Sequence, residues 1–401
     1  MEASSARRGA VAFIFVTVVL DMLALGIIVP VLPKLVLAFE GGDSAHAATI
    51  YGLFGTIFAA MQFLFAPLLG ALSDRFGRRP VVLLSNFGLG IDYIVMALAP
   101  SVAWLLVGRV VSGICGASYT TAGAYIADVT PPEKRAASFG LMSAAFGVGF
   151  VVGPAVGGLV GSIDPRLPFW VAAAMSLANA LYGLVILPES LPLERRAPFE
   201  WRRANPVGSL HLLRGHAAVL GLAAMWFLSD VAHEVMPSTF VLYTDHRYAW
   251  DARTVGLSLA AVGLSSAVVG AGLVGRVVAR LGERRSLLVG QGFGAAGFAV
   301  AGLATTGVLF CTSIPILAMW GLWRPAAQAV MTSRVDPTEQ GRLQGALAGL
   351  QGIAFMIGPV LFTFTFAMAI RGGWSLPGAP FLLAALMVAV ALGVGWRATR
   401  A

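Results

Sequence analysis

Charge is what this chain has least of. Lys, Arg, Asp and Glu make up 11% of its 401 residues, against about 25% in an average soluble domain. Too few charges remain to cover a water-facing surface of this size, which excludes an ordinary soluble protein. Lysine occurs only at Lys34 and Lys134, and no GxxxxGK[ST] stretch is present, so an ATP-driven pump has no support. Cysteine occurs twice, as Cys115 and Cys311, both within apolar runs. Two such thiols make neither a disulfide framework nor a zinc site. No nucleophile triad and no metal-ligand cluster is legible, so the chain does not read as an enzyme.

Hydrophobic residues, at 58%, are gathered into long runs such as "GAVAFIFVTVVLDMLALGIIVPVLPKLVLAF". About 20 apolar residues cross a hydrocarbon core of roughly 30 Å as a helix. Hydropathy and loop breaks predict twelve spans: 10–38, 48–70, 80–99, 102–127, 137–160, 168–187, 216–240, 254–278, 286–304, 308–331, 343–368 and 378–396. The first run is too long for a signal peptide, carries Asp21 in its middle and is followed by no small-residue cleavage site. It reads as a retained span of an all-α polytopic membrane protein.

The net charge of +8 is explained by topology rather than by nucleic acid. Arg7, Arg8, Arg75, Arg78, Arg79, Lys134, Arg135, Arg195, Arg196, Arg202, Arg203, Arg214, Arg280, Arg284, Arg285, Arg334, Arg342, Arg397 and Arg400 fall on one side of the spans. Only Arg166, Arg247, Arg253 and Arg371 fall on the other. The positive-inside rule makes the first side cytoplasmic, with both termini inside. The chain then divides into a six-helix bundle at 1–187, a cytoplasmic linker at 188–215 and a second bundle at 216–401. The halves repeat. "GALSDRFGRR" (70–79) aligns with "GRVVARLGER" (275–284), and "SFGLMSAAFGVGFVVGPAVGG" (138–158) with "LQGALAGLQGIAFMIGPVLFT" (343–363). Gly70/Gly275, Gly77/Gly282, Pro132/Pro337, Gly140/Gly345 and Gly153-Pro154/Gly358-Pro359 share one offset. Two parallel six-span repeats are the plan of a rocking-bundle secondary transporter.

"GALSDRFGRRPVVLL", between spans 2 and 3, resembles the signature loop of the major facilitator superfamily. "GVGFVVGPAVGG" in span 5 resembles that superfamily's antiporter motif. Its Gly149, Gly153, Gly157 and Gly158 let helices approach closely, and Pro154 kinks the span. The likeness extends to the tetracycline/proton antiporters through "VLDMLALGIIVPVLP", "IDYIVMALAP", "GRVVSGICGASYTTAGAYIAD", "WDARTVGLSLAA", "ARLGERR" and "VDPTEQGRLQG". It implies the major facilitator fold of two pseudo-symmetric six-helix bundles, with spans 1, 4, 7 and 10 lining a central cavity. It also implies proton-driven export, by alternating access, of a drug-like molecule carried as a chelate with a divalent metal. The sequence departs from the tetracycline pattern at Ser266, Gly270 and Gly294, where that family has histidine, glutamine and aspartate. Asp230 and Glu234 stand where it has neutral residues.

Seven charged or histidine residues lie inside spans away from the span ends: Asp21, Asp92, Arg109, Asp230, His233, Glu234 and Arg324. A lone charge at mid-membrane costs about 2.5–3.5 kcal/mol on insertion scales, and such residues mark ion and substrate paths. Asp230 and Glu234, four apart, share a helical face bordered by His233. One reading makes Asp230 or Glu234, with Asp21, the carrier of the coupling proton, with His233 as a relay. The other makes the cluster a fixed ion-pair network with Arg324 or Arg109. Arg109 resembles the family's span 4 arginine, implicated in proton movement; the alternative is a partner for a single acid. Asp92 matches the family and fits either a cavity or a hydrogen-bonding role. Arg324 could hold an anionic group of the substrate or neutralise Asp230.

Asp74, with Gly70, Arg75, Gly77, Arg78 and Arg79, reads as a cytoplasmic latch. Its acid would accept hydrogen bonds from helix N-termini or from Arg135, and Asp128 and Arg135 flank the next inner loop. The second half has Ala279 in place of Asp74. "GFGAAG" (292–297) fits a dinucleotide pattern but lies in an apolar span without a preceding strand, so helix packing accounts for it. The expected partners are a small molecule, protons and the lipid bilayer, with no nucleic acid. No cofactor is expected; a divalent metal would enter only with a chelating substrate. The expected setting is a monomer in the bacterial inner membrane. A small, anionic metabolite remains the alternative cargo.

Overall fold

A computed structural model describes residues 2–116, 119–131, 134–197, 217–336, 339–372 and 376–400. Pro132 and Pro337 of the repeat, and Arg202, Arg203 and Arg214 of the linker, lie outside the described residues. Twelve helices are long and apolar enough to cross a membrane: α1 Phe15–Phe39, α2 Ser44–Phe76, α3 Arg78–Leu98, α4 Val102–Val129, α5 Ser138–Gly161, α6 Leu167–Ile186, α7 Val219–Tyr248, α8 Ala252–Leu281, α9 Glu283–Leu303, α10 Gly307–Thr332, α11 Gln340–Arg371 and α12 Ala379–Ala398. No strand occurs among the described residues. Each helix matches one predicted span in order. The main difference is α7, which runs on to Tyr248 because its backbone ladder continues through the polar stretch "YTDHRY" where hydropathy has already fallen.

Three helices break, and proline explains each break. A proline has no N–H and clashes with the carbonyl four residues earlier. Pro237 therefore detaches the carbonyl of His233, and α7 is interrupted at Glu234, whose N–H bonds Val231 O at 3.1 Å instead. Pro325 detaches Gly321 in the same way. Helix α10 turns at Gly321 and Leu322, whose N–H groups bond Ala318 O at 3.0 Å and Met319 O at 3.2 Å. In α1, Pro30 and Pro33 accompany a turn between the helical segments ending at Ile28 and starting at Leu32. Helix α8 stays continuous but holds a π-turn at Val269–Leu273.

The chain forms two compact units. One comprises Met1–Leu35, Ile57–Pro206 and Ala252–Ala260; the other comprises Val36–Thr56, Val207–Asp251 and Ala261–Ala401. The units thus follow the two repeats except that the last turn of α1 and the start of α2 belong with the second and the start of α8 with the first.

Within the first unit, α5 lies on α1 through bare backbone. A Cβ added at Gly149 would overlap Met22, at Gly153 would overlap Gly26, and at Gly157 would overlap Ile27. Gly158 faces Gly256 of α8 just as closely. Within the second unit, Gly358 faces Glu234 and Val231, while Gly52 and Gly55 of α2 face Thr363 and Pro359. Small residues at helix seams are the membrane solution to close packing.

Helix ends are tied down by side chains. Asp43 Oδ1 accepts the N–H groups of Ala45 and His46, each at 2.9 Å, capping α2. The His46 N–H is the main influence holding the Asp43 carboxyl below its ordinary range. Arg166 donates to the Ala97 and Ala99 carbonyls at the end of α3, at 2.8 and 2.9 Å. Leu181, Leu184 and Val185 form an exposed aliphatic face on α6, which suits lipid and not water.

Candidate functional site

Charged side chains gather in three places. In the first unit, Asp21, Asp92 and Arg109 lie on α1, α3 and α4. Asn179 of α6 donates one amide nitrogen to Asp21 Oδ1 at 3.0 Å and to the Thr17 carbonyl at 3.2 Å. A cavity of about 50 Å³ bordered by Asp21, Thr17, Gln62, Tyr93 and Ser112 has room for a few waters. Arg109 lies over the Phe58 ring at 5.1 Å and attracts Asp92 electrostatically. Both Asp92 oxygens, and Nε and Nη2 of Arg109, are buried without a hydrogen-bond partner among the described residues.

In the second unit, the proline breaks position the acids and the arginine. Glu234 sits at the break itself, at the start of the resumed helix Val235–Tyr248, where a negative charge complements the helix dipole. The His233 imidazole lies beside it, Nδ1 3.9 Å from Oε1. Arg324 stands in the first turn of the resumed segment Trp323–Thr332 and pairs through Nη2 with Asp230 Oδ1. Its guanidinium lies 4.9 Å from the Trp226 ring and 5.4 Å from the Trp323 ring. Of the two partners offered by the sequence for the span 7 acids, Arg324 meets Asp230, whereas Arg109 keeps company with Asp92 and Phe58.

At the junction of α2 and α3, Arg78 is the hub. Its guanidinium reaches Asp74 at 2.6 Å, Asp128 at 3.2 Å and Ser73 Oγ at 2.6 Å. Gly77 has φ +105°, and the first N–H groups of α3 point at Glu189. Glu189 accepts from Arg78 N at 2.8 Å and Arg79 N at 3.3 Å, and Ser190 Oγ donates to Asp128 at 3.1 Å. Two expectations are corrected here. Arg135 does not serve Asp74; it donates to the Thr130 carbonyl at 3.3 Å. The acid that receives the helix N–H groups is Glu189, because Asp74 lies one helical turn before Arg78 and meets its side chain. Arg75 packs over Phe76 at 5.1 Å, and no side chain lies against Gly70.

Sequence reading missed Glu189, Asn179, Trp226, Trp323 and Gly256. The "PES" turn after span 6 was a visible signal for Glu189, since an acid after a proline is well placed to cap a neighbouring helix. The tryptophans gave none, because in an apolar span they look like any lipid-facing residue. Among the described residues, no three His, Cys, Asp or Glu side chains come together as a metal site.

The profile of the Major Facilitator Superfamily matches residues 14–359 and 234–400. The class C tetracycline resistance protein of Escherichia coli is 42% identical over 361 residues, covering 90% of both chains. The class G protein of Vibrio anguillarum is 37% identical over 94% of both. Among solved structures, a bacterial homologue of the human lysosomal transporter Spinster superposes with a TM-score of 0.79 at 17% identity, covering 98% of this chain and 97% of that one. The human organic anion transporter MFSD10 superposes at 0.70 with 24% identity, covering 97% and 99%. Those two likenesses establish the fold. The matched superfamily is one of transporters, not enzymes. With twelve apolar helices, a doubled superfamily match and relatives above 30% identity along nearly its whole length, this multi-pass membrane chain belongs to the major facilitator superfamily and, within it, to the family of the tetracycline resistance proteins.

Proposed function

We propose that this chain is a proton-coupled antiporter that exports a drug-like small molecule, tetracycline-like or of broader multidrug kind, by alternating access. The observation that carries this reading is the 42% identity across 90% of the chain to a protein named for tetracycline resistance. Supporting it, four acids and two arginines remain inside the spans despite their insertion cost. Asp21 and Arg109 are assigned to proton movement in the first half, and Asp92 to the substrate cavity. Asp230, Glu234 and His233 are assigned to proton and substrate handling in the second. The network of Asp74, Arg78, Asp128 and Glu189, with Arg75, Arg79 and Arg135 around it, is assigned to holding the cytoplasmic gate. The glycine seam of Gly149, Gly153, Pro154, Gly157 and Gly158 keeps α5 against α1 through the cycle. The halves 1–187 and 216–401, joined by the linker 188–215, are the moving parts.

The protein would work as a monomer in the bacterial inner membrane with both termini cytoplasmic. The coupling ion is the proton, and a divalent metal travels only as part of a chelated cargo. Inverted vesicles from a pump-deleted host test this. An imposed inward-acid gradient should drive tetracycline uptake, an uncoupler should abolish it, and Asp21→Asn or Asp92→Asn should lower it at least tenfold. Gradient-driven uptake only in right-side-out vesicles overturns export; absence of gradient-driven flux in both orientations overturns coupled tetracycline transport. A second reading, an anionic metabolite as cargo, is favoured by one observation, the half-exposed Arg324.

A further inference from the structure

We propose that Arg324 is the recognition point for a planar oxyanion, a carboxylate or delocalised enolate, on the transported molecule. This rests on the transporter reading above and adds the chemical class of its cargo. A guanidinium offers five N–H donors in a fixed fork. If Arg324 served only to neutralise Asp230, the favourable geometry would be a two-pronged contact that satisfies both carboxylate oxygens. The pair is one-pronged instead. Nη2 meets Oδ1, while the buried Oδ2 makes no hydrogen bond with the guanidinium and has the Trp226 indole as its polar neighbour. No other acceptor for Arg324 is found among the described residues, and its side chain is 40% exposed while that of Asp230 is 1% exposed. The acid faces inward and the free edge of the cation faces outward. Inside a span that edge faces water or substrate, since hydrocarbon could not satisfy it.

The setting makes the arginine rigid. Trp226 and Trp323 cover it and meet each other edge to face at 5.0 Å. Trp320 stacks beside Trp323 at 6.3 Å. Its indole N–H bonds Gln291 Oε1 at 3.3 Å, and Gln291 bonds Ser229 Oγ at 2.8 Å. The two ring centroids lie only 5.0 Å apart, so both indoles stand to one side of the guanidinium, and a ligand meets its uncovered edge, where in-plane bidentate oxygens fit. The local charge also favours an anion. The proline break puts Arg324 at the positive end of a ten-residue helix, worth roughly half an elementary charge. Asp230 cancels the arginine but not that dipole. His233, 59% exposed and 6.0 Å from the Trp320 ring, adds a second donor on the same aromatic layer.

The test uses the purified full-length protein in nanodiscs, with radiolabelled salicylate as the planar oxyanion and salicylamide as its uncharged counterpart. Wild type should bind salicylate at least about tenfold more tightly than salicylamide. Arg324→Lys keeps the charge but loses the fork, and should cost most of that preference. Because Arg324→Gln alone strands a buried acid, the Asp230→Asn/Arg324→Gln double variant is the second test, and it should bind both probes equally. Equal binding of the probes by wild type, absence of salicylate binding, or an unchanged preference in Arg324→Lys overturns the proposal. Gradient-driven tetracycline flux measured on the same reconstituted protein reads the transporter reading separately, so the two can fail independently.

Discussion

The two repeats turn the same corner in different company. Between α2 and α3 the chain passes through Gly77 at φ +105°, and between α8 and α9 through Gly282 at φ +78°. Around the first corner, Arg78 ties Asp74 to Asp128, and Glu189 caps α3. Around the second, Ala279 and Glu283 occupy the places of Asp74 and Arg78, and a Cβ at Gly282 would meet nothing within 4 Å. The glycine is therefore what the bend requires. Among the described residues the ionic network is an addition made in one half only, and its asymmetry separates what the bend requires from what is built onto it.

Removing the hub should have the largest effect. Arg78→Ala leaves Asp74 and Asp128 without their shared cation and should cost about 3 kcal/mol, read as a lower melting temperature in detergent together with loss of gradient-driven flux. Next comes a paired test of the two corners. Gly77→Ala meets both an unfavourable backbone and the Glu189 carboxylate, and should cost about 2–3 kcal/mol. Gly282→Ala meets only the backbone and should cost about 1–2 kcal/mol; equal losses would erase the distinction. Glu189→Gln keeps an acceptor for the α3 N–H groups but removes its charge, and should cost about 1 kcal/mol with slower transport. The smallest effect belongs to Ala279→Asp. The new acid would stand four residues from Glu283 on an exposed face, costing a few tenths of a kcal/mol and leaving flux unchanged. A gain in stability there would mean that the second corner was an unfinished latch.

How far the sequence led differs from residue to residue. The twelve spans were legible because apolar runs and loop charges are one-dimensional signals. Asp230 and Arg324 were legible as costly charges, and their meeting was one of the alternatives left open. Glu189 was not assigned, because its partner N–H groups lie 110 and 111 residues away and carry no side-chain identity to search for. Backbone donors are invisible in a sequence until a turn exposes them. The breaks in α7 and α10 lie four residues before Pro237 and Pro325, but Pro67, Pro154, Pro315 and Pro359 stand inside unbroken helices, so proline alone did not mark them. The packing of Trp226 and Trp323 on Arg324 could not be read either, since it comes from ring orientation and not from residue type.

The seam between α1 and α5 carries a consequence for how this protein can change over generations. At Gly149, Gly153 and Gly157 every substitution adds atoms where backbone already stands, so those positions have no neutral neighbours in sequence space. Trp226, Trp323 and Arg324 are held by ring contacts and one ion pair, which other side chains can replace in part. On the roles proposed above, a lineage can therefore exchange its cargo one substitution at a time while the helix seam stands still.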